Sequence, residues 1–271
     1  MKAAVVYGVN DLRLEEVEKP QIERDDQILV KIKAVGICGS DIHILHGANP
    51  FATYPRIMGH EMVGEVEAVG DNVKNIAIGD HIVVEPITYC GKCYACRKGM
   101  PNVCQQLKVS GVHVDGGMRE YIVIAEKQAH KIKKDIPWTT AVLAEPYTIA
   151  GNVTTRTNIS AGDKVVIQGA GPIGITILRM AKVKGATVLV TDMVDEKLAF
   201  AKENGADMVV NPSKENLVEA VKTWTDGEMA NVVIDAACTP KTFEICFDLV
   251  SIAGTIGVLG MNEKPSNIPQ I

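Results

Sequence analysis

Aromatic residues are scarce: Phe, Trp and Tyr together make up 4% of the 271 residues. So few rings leave no stacking platform for unpaired bases. Nor is there a basic block. Lys and Arg number 28 against 33 Asp and Glu, a net charge of −5, which supplies no counterion-release term for nucleic acid. No apolar run approaches the roughly 20 residues of a membrane-spanning helix. The opening run Ala3–Tyr7 is soon broken by Asn10, Asp11 and Arg13, unlike a signal peptide. Internal repeats and low-complexity tracts are missing too. These absences predict a soluble, cytoplasmic protein with neither nucleic acid nor membrane as partner. In that reducing compartment, seven cysteines favour metal ligands over disulfides.

What is present divides in two. Residues 1–150 are strand-rich, with short β-prone runs at Met1–Tyr7, Gln27–Val35, Met62–Val69, His81–Val84 and Tyr121–Ile124. Turn signals such as Gly70-Asp71-Asn72 and Gly79-Asp80 separate them, which predicts a small barrel-like β domain. Trp138–Ala150 has helical character with a kink or break expected at Pro146. Residues 151–271 alternate strand and helix: Lys164–Gln168, Thr187–Thr191, Met208–Val210, Val232–Asp235 and Thr255–Leu259 read as strands with helices between. That alternation means βαβ units and a parallel sheet, so the fold class is α/β.

Two clusters offer metal ligands. Cys38 lies in a Gly-flanked segment, and His60-Glu61 follows Gly59 some twenty residues later. Thiolate, imidazole and carboxylate are all ligands zinc accepts, and three protein ligands with an open position mark a catalytic site. Singly, each has a plainer reading: a buried Cys is a small hydrophobe, and His-Glu an ordinary polar pair. The second cluster lies within residues 88–105, where Cys90, Cys93, Cys96 and Cys104 follow Cys-x2-Cys-x2-Cys-x7-Cys spacing. Four thiolates can close a tetrahedral structural zinc site; two disulfides or an iron–sulfur cluster are the alternatives.

Gly169-Ala-Gly171-Pro172-Ile173-Gly174 follows a predicted strand and opens a helix, the context a dinucleotide fingerprint needs. Gly169 permits the turn, Gly171 lets a pyrophosphate approach, and Gly174 lets helix and strand pack. Asp192, eighteen residues beyond Gly174, is placed to bind an adenosine ribose. Met193 supplies no cation for a 2′-phosphate, so NAD is favoured over NADP. A helix-capping role is the alternative for an Asp here, more readily for Asp195.

The Gly59-His60-Glu61-x-x-Gly64…Gly70 signature, the four-Cys lobe and the Gly-rich fingerprint, in this order, resemble the zinc-dependent alcohol dehydrogenases, the medium-chain dehydrogenase/reductases. Cys38-Gly-Ser40-Asp41-x-His43 and Glu145-Pro146 are similar to the polyol branch, and Gly111-Val-His-Val-Asp-Gly-Gly to bacterial sugar-acid dehydrogenases; the branch is sorbitol- or L-galactonate-dehydrogenase-like. The resemblance implies a GroES-like β-barrel catalytic domain and a doubly wound Rossmann domain. It implies one catalytic zinc held by Cys38 and His60, with Glu61 and Glu145 completing the sphere directly or through water. Asp41 would orient a ligand, and Ser40 and His43 would relay a proton. A small-molecule secondary alcohol would pass its hydride to NAD, in a homodimer or homotetramer. Against the family, the last Rossmann strand and closing helices are expected to be missing after Thr255–Leu259. That shortness leaves a non-catalytic zinc- and nucleotide-binding protein as the alternative. A zinc-free quinone reductase is disfavoured by both cysteine sets. His46, His81, His113 and His130 read as surface or loop residues, and Cys238 and Cys246 as core packing.

Overall fold

The computed structural model describes residues 1–260 and 264–268, and the chain divides into two compact units, Met1–Glu145 and Pro146–Ile271. In the first, β1 (Lys2–Gly8) lies between β2 (Asp11–Glu16) and β4 (Arg56–Ile57) in an antiparallel sheet. A second antiparallel sheet has the order β10-β6-β5-β3-β9, formed by β3 (Gln27–Gly36), β5 (Glu61–Val69), β6 (His81–Val84), β9 (Tyr121–Ala125) and β10 (Ala129–Ile132). Strand side chains alternate between faces, so Ile28 and Val30, Ile82 and Val84, and Ile122 and Ile124 all reach one core with Met62 and Val66. Backbone bonds from Ala4 N–H to Met118 O (2.8 Å) and Glu120 N–H to Lys2 O (3.2 Å) tie the sheets together.

Short elements carry the candidate ligands. Helix α1 (Gly39–Leu45) follows β3, β7 (Ile87–Thr88) pairs with β8 (Lys108–Val109), and α2 (Tyr94–Arg97) sits between them. Two bulges interrupt the pairing of β3 with β5, and the pairing ends with Gly36 opposite Glu61.

After α3 (Trp138–Ala141), α4 (Ala144–Arg156) spans the unit boundary. The expected break at Pro146 does not occur. Pro146 lies in the first turn of α4, where its missing N–H leaves no intrahelical bond unmade; the interruption falls earlier, at residues 142–143.

The second unit has the five-stranded parallel order β13-β12-β11-β14-β15. Its strands are β11 (Lys164–Gln168), β12 (Thr187–Thr191), β13 (Met208–Val210), β14 (Ala230–Asp235) and β15 (Val250–Val258), and its helices α5 (Pro172–Val183), α6 (Asp195–Glu203), α7 (Leu217–Trp224) and α8 (Pro240–Leu249). A parallel sheet is covered on both faces. Val165, Ile167, Val188 and Ile234 pack with Ile177 and Leu178 of α5 on one side. Val166, Leu189 and Val233 pack with Val221 and Leu249 on the other. The strand order reverses beside β11, making the carboxyl ends of β11 and β14 the crevice where such sheets bind ligands.

Some boundaries differ from expectation. β2 carries no strand signal in the sequence because DLRLEE is mostly exposed and lacks a buried apolar face. β15 begins at Val250 rather than Thr255, through an irregular pairing around Ala253, which has φ +64°. Among the described residues no helix is long and apolar enough to cross a membrane.

Candidate metal centres and nucleotide site

Cys38 caps the N-terminus of α1, His60 immediately precedes β5, and Glu61 is the first residue of that strand. Their ligand atoms all lie within 4.8 Å of one another. Asp41, fully buried on α1, holds the segments in register. Its Oδ2 accepts the Cys38 N–H at 2.9 Å, its Oδ1 accepts the Gly59 N–H at 3.2 Å, and His60 Nδ1 stands 3.7 Å from Oδ1. One carboxylate thus positions both the thiol segment and the imidazole segment.

Electrostatics fit a cation. The hydrogen-bonded His60 ring pulls the Cys38 thiol below its ordinary range against the effect of burial, and the Ser40 N–H and hydroxyl assist. Burial would lower His60, but the Cys38 hydrogen bond and the charges of Asp41, Cys38 and Glu145 outweigh it and lift the imidazole to about 9. Burial raises Glu61, with His60 opposing and Asp41 adding to the rise. Without a metal, a proton on His60 does the work of a positive ion among acceptors. His60 Nδ1 is also buried with no hydrogen-bond partner. Soft, borderline and hard donors converging around one point suit zinc. Glu145 stands outside the converging set, though it is close enough for the His60 and Glu61 charges to act on it; burial is the main cause of its raised pKa. Ser40 is half-buried and His43 exposed, both on α1.

Two glycines make this geometry possible. A Cβ on Gly36 would stand 1.8 Å from Glu61 Oε2, and one on Gly116 would stand 2.1 Å from the Gly59 carbonyl oxygen. The 111–117 loop therefore packs backbone to backbone behind His60. Gly density was the available signal, but only the contacts assign it.

In the second cluster no cysteine is in a disulfide. Sulfur separations are 3.5 Å for Cys93–Cys96, 3.8 Å for Cys93–Cys104 and 3.5 Å for Cys90–Cys104. A tetrahedron with zinc–sulfur bonds of about 2.3 Å has edges of about 3.8 Å. N–H groups of Cys90 and Gln106 donate to Cys104 Sγ, and that of Cys93 to Cys90 Sγ. The Cys96 and Gln105 N–H groups help draw the Cys93 thiol down to about 6, while burial and its thiol neighbours push Cys96 to about 12. Such crowding of thiols calls for a shared cation.

In the second unit Gly169 has φ +102°, and a Cβ on Gly174 would stand 1.9 Å from its carbonyl oxygen. Gly171, by contrast, faces open space and caps α5, with Pro172 at the first helical position and Ile173 after it. Asp192, just beyond β12, accepts the Ala170 N–H at 2.9 Å and the Val194 N–H at 3.0 Å. It lines a cavity of about 270 Å³ with Gly169, Thr191, Met193, Ser213, Ala237 and Thr239 among its walls. Asp195 holds Lys214 and Asn211 instead.

The remaining histidines do not join a metal group among the described residues. His46 meets Asn10, His113 accepts the Val109 N–H, and His130 on β10 meets Glu85. His81 is a correction: it is half-buried in β6, its ring 4.1 Å from that of Trp138. Cys246 is fully buried in the core, whereas Cys238 is half-buried in the turn after β14.

Comparison with known proteins agrees with both units. Residues 24–134 match the alcohol dehydrogenase GroES-like domain and residues 172–270 the zinc-binding dehydrogenase family. The starvation-sensing protein RspB of Escherichia coli is 42% identical over 100% of this chain and 79% of its own length. Sorbitol dehydrogenase of Bacillus subtilis is 33% identical over 100% of this chain and 79% of its own. A crystal structure of RspB from E. coli CFT073 with NADH superposes with a TM-score of 0.93 at 41% identity, covering 99% of this chain and 79% of that one. A zinc-binding dehydrogenase from Sinorhizobium meliloti with NADP gives 0.95 at 33% identity, covering 99% and 79%. The GroES-like unit with its convergent thiolate, imidazole and carboxylate, and the parallel sheet with its Gly-rich turn, place this chain in the zinc-dependent alcohol dehydrogenase family of medium-chain oxidoreductases.

Proposed function

We propose that the chain oxidises a secondary alcohol of the polyol or sugar-acid class to a ketone, with NAD as hydride acceptor. The observation that carries this reading is the convergence of Cys38, His60 and Glu61 within 4.8 Å. A protein that only bound zinc and nucleotide would have no use for that open, three-ligand set beside the closed four-cysteine one. Zinc held there would polarise the alcohol oxygen and lower its pKa, and NAD would take the hydride. The chain's own residues do the rest. Cys38, His60 and Glu61 are the zinc ligands, Glu145 exchanges with Glu61 or holds a water, and Asp41, through the Gly59 N–H, positions the His60 segment. Ser40 takes the proton from the substrate hydroxyl and His43, exposed on the next turn of α1, releases it to solvent.

The NAD preference rests on Asp192, whose carboxylate suits two ribose hydroxyls and repels a 2′-phosphate, and on the absence of a cation at Met193. Cys90, Cys93, Cys96 and Cys104 hold a second zinc whose role is structural. Residues 1–150 then serve as the catalytic domain and 151–271 as the NAD domain. The proposal extends to a homodimer or homotetramer working in the cytoplasm, which sedimentation and fractionation test.

The test is zinc per chain by elemental analysis, with NADH and NADPH fluorescence titrations and a screen of sorbitol, L-galactonate and related alcohols. Two zinc ions per chain, tighter NADH than NADPH binding, and alcohol-dependent NADH formation are expected. One zinc ion lost completely in Cys90→Ala would refute the catalytic centre; equal affinity for NADH in Asp192→Ala would refute the cofactor assignment.

A further inference from the structure

At the carboxyl end of β14, beside the crevice, Asp235 is fully buried. Its Oδ1 accepts the Ala237 N–H at 3.2 Å and the Cys238 N–H at 2.9 Å. Its Oδ2 is buried with no partner among the described residues. Burying a carboxylate with an unmet oxygen is costly. What it accomplishes is visible in the turn that follows.

Cys238 has φ +55°. In that left-handed region a residue with a side chain is disfavoured by roughly 5- to 30-fold, whereas glycine enters freely. The shape of the turn is fitted on its far side as well. A Cβ on Gly260 would lie 2.1 Å from Cys238 Sγ, so the thiol fills the space which that glycine leaves. On its near side the turn lies against the Gly-rich fingerprint. A Cβ on Gly169 would meet the Ala237 nitrogen at 3.1 Å and its Cβ at 3.2 Å, and the Ala236 N–H donates to Gln168 O at 2.9 Å. Ala237 and Thr239 then face the 270 Å³ cavity.

We propose that Asp235 is the positioning residue of the nucleotide site: its buried carboxylate, by accepting the Ala237 and Cys238 N–H groups, holds Cys238 left-handed and sets residues 236–239 as a wall of the cavity against Gly169. The carboxylate does not touch the cofactor; it acts through the turn. This inference rests on the second unit's being the NAD half. It assigns to Asp235 a cost in burial that is returned as a preformed cofactor wall, in the way a preorganised site binds more tightly than one ordered on binding.

The test is a titration of NADH fluorescence with the zinc-loaded full chain, with melting temperatures recorded in parallel. Asp235→Ala is expected to raise the NADH Kd about tenfold, the weight of a left-handed residue without its anchor. Asp235→Asn, which keeps an acceptor oxygen, stays within about threefold of the parent. The double change Asp235→Ala with Cys238→Gly recovers to within about threefold, because glycine holds φ +55° unaided. A merely structural role would move the melting temperature and leave the double change as weak as the single one. Unchanged affinity in Asp235→Ala, or failure of Cys238→Gly to restore it, overturns the proposal. If Asp235→Ala does not fold, Cys238→Gly and its double with Asp235→Ala are compared: equal affinities support the proposal and a tenfold gap overturns it. A parent chain that binds no NADH removes the NAD reading itself and this inference with it, a result distinct from any difference among variants.

Discussion

Replacing Gly36 by alanine should disable the Cys38 centre while leaving the fold intact. Gly36 lies opposite Glu61 across the β3–β5 pairing, and a Cβ at that position would stand 1.8 Å from Glu61 Oε2. To restore even a 3.0 Å contact the carboxylate must retreat by about 1.2 Å. That end of the side chain is flexible, and Gly36 does not have a positive φ, so the backbone has no reason to move. Gly-to-Ala at a compatible backbone stabilises by about 0.4–1 kcal/mol through the unfolded chain, which approximately offsets any residual crowding. The centre fares differently, because its ligand atoms converge within 4.8 Å and a misplacement of about 1 Å can cost roughly 100-fold in rate. Gly36→Ala should therefore keep its melting temperature within a few degrees and retain the zinc of the cysteine lobe. Zinc affinity at the Cys38 centre should fall by about 10- to 100-fold, and kcat/KM with it. Competition against a zinc-sensitive dye, read alongside steady-state kinetics, measures both. Zinc affinity and kcat/KM within twofold of the parent would refute the placement of Glu61 in the sphere.

Cys90→Ala should lower zinc from two ions to one per chain while NADH binding persists, since the Gly-rich turn belongs to the other unit; elemental analysis and fluorescence check this. Gly171→Ala and Gly174→Ala should part company. A Cβ at 171 meets nothing, so the melting temperature holds and NADH binding weakens, whereas a Cβ at 174 presses to 1.9 Å on the Gly169 carbonyl oxygen and costs about 1–3 kcal/mol of stability. In the zinc-stripped protein Cys38 should alkylate at neutral pH faster than an ordinary thiol. Its lowered pKa means more thiolate below the usual range, and the reactivity should fall as pH drops through that lowered value. His60→Ala should abolish the effect. Stability of the stripped protein should carry the opposite mark of His60. A folded pKa of about 9 against 6.5 gives a contribution complete below pH 6.5 and lost as pH rises through 9, which melts across that range will show.

The sequence by itself determined the four-cysteine spacing, the Gly-rich turn and the two kinds of unit. Each is a local property: Cys90 to Cys104 sit close enough along the chain to enclose an ion, and Gly169 to Gly174 form a single strand-to-helix turn. Only the tertiary structure decided what depends on residues far apart in sequence. It brought Cys38 and His60 together through Asp41 and left Glu145 out of the set that converges within 4.8 Å. It made Gly36 and Gly116 the spaces that Glu61 and the Gly59 carbonyl occupy, and set His81 against Trp138. It placed Pro146 inside a helix rather than at its break. The physical reason is the same throughout. Spacing along a chain fixes which groups can meet by local turns, but close approach between strands is settled by packing, where a single Cβ decides what fits.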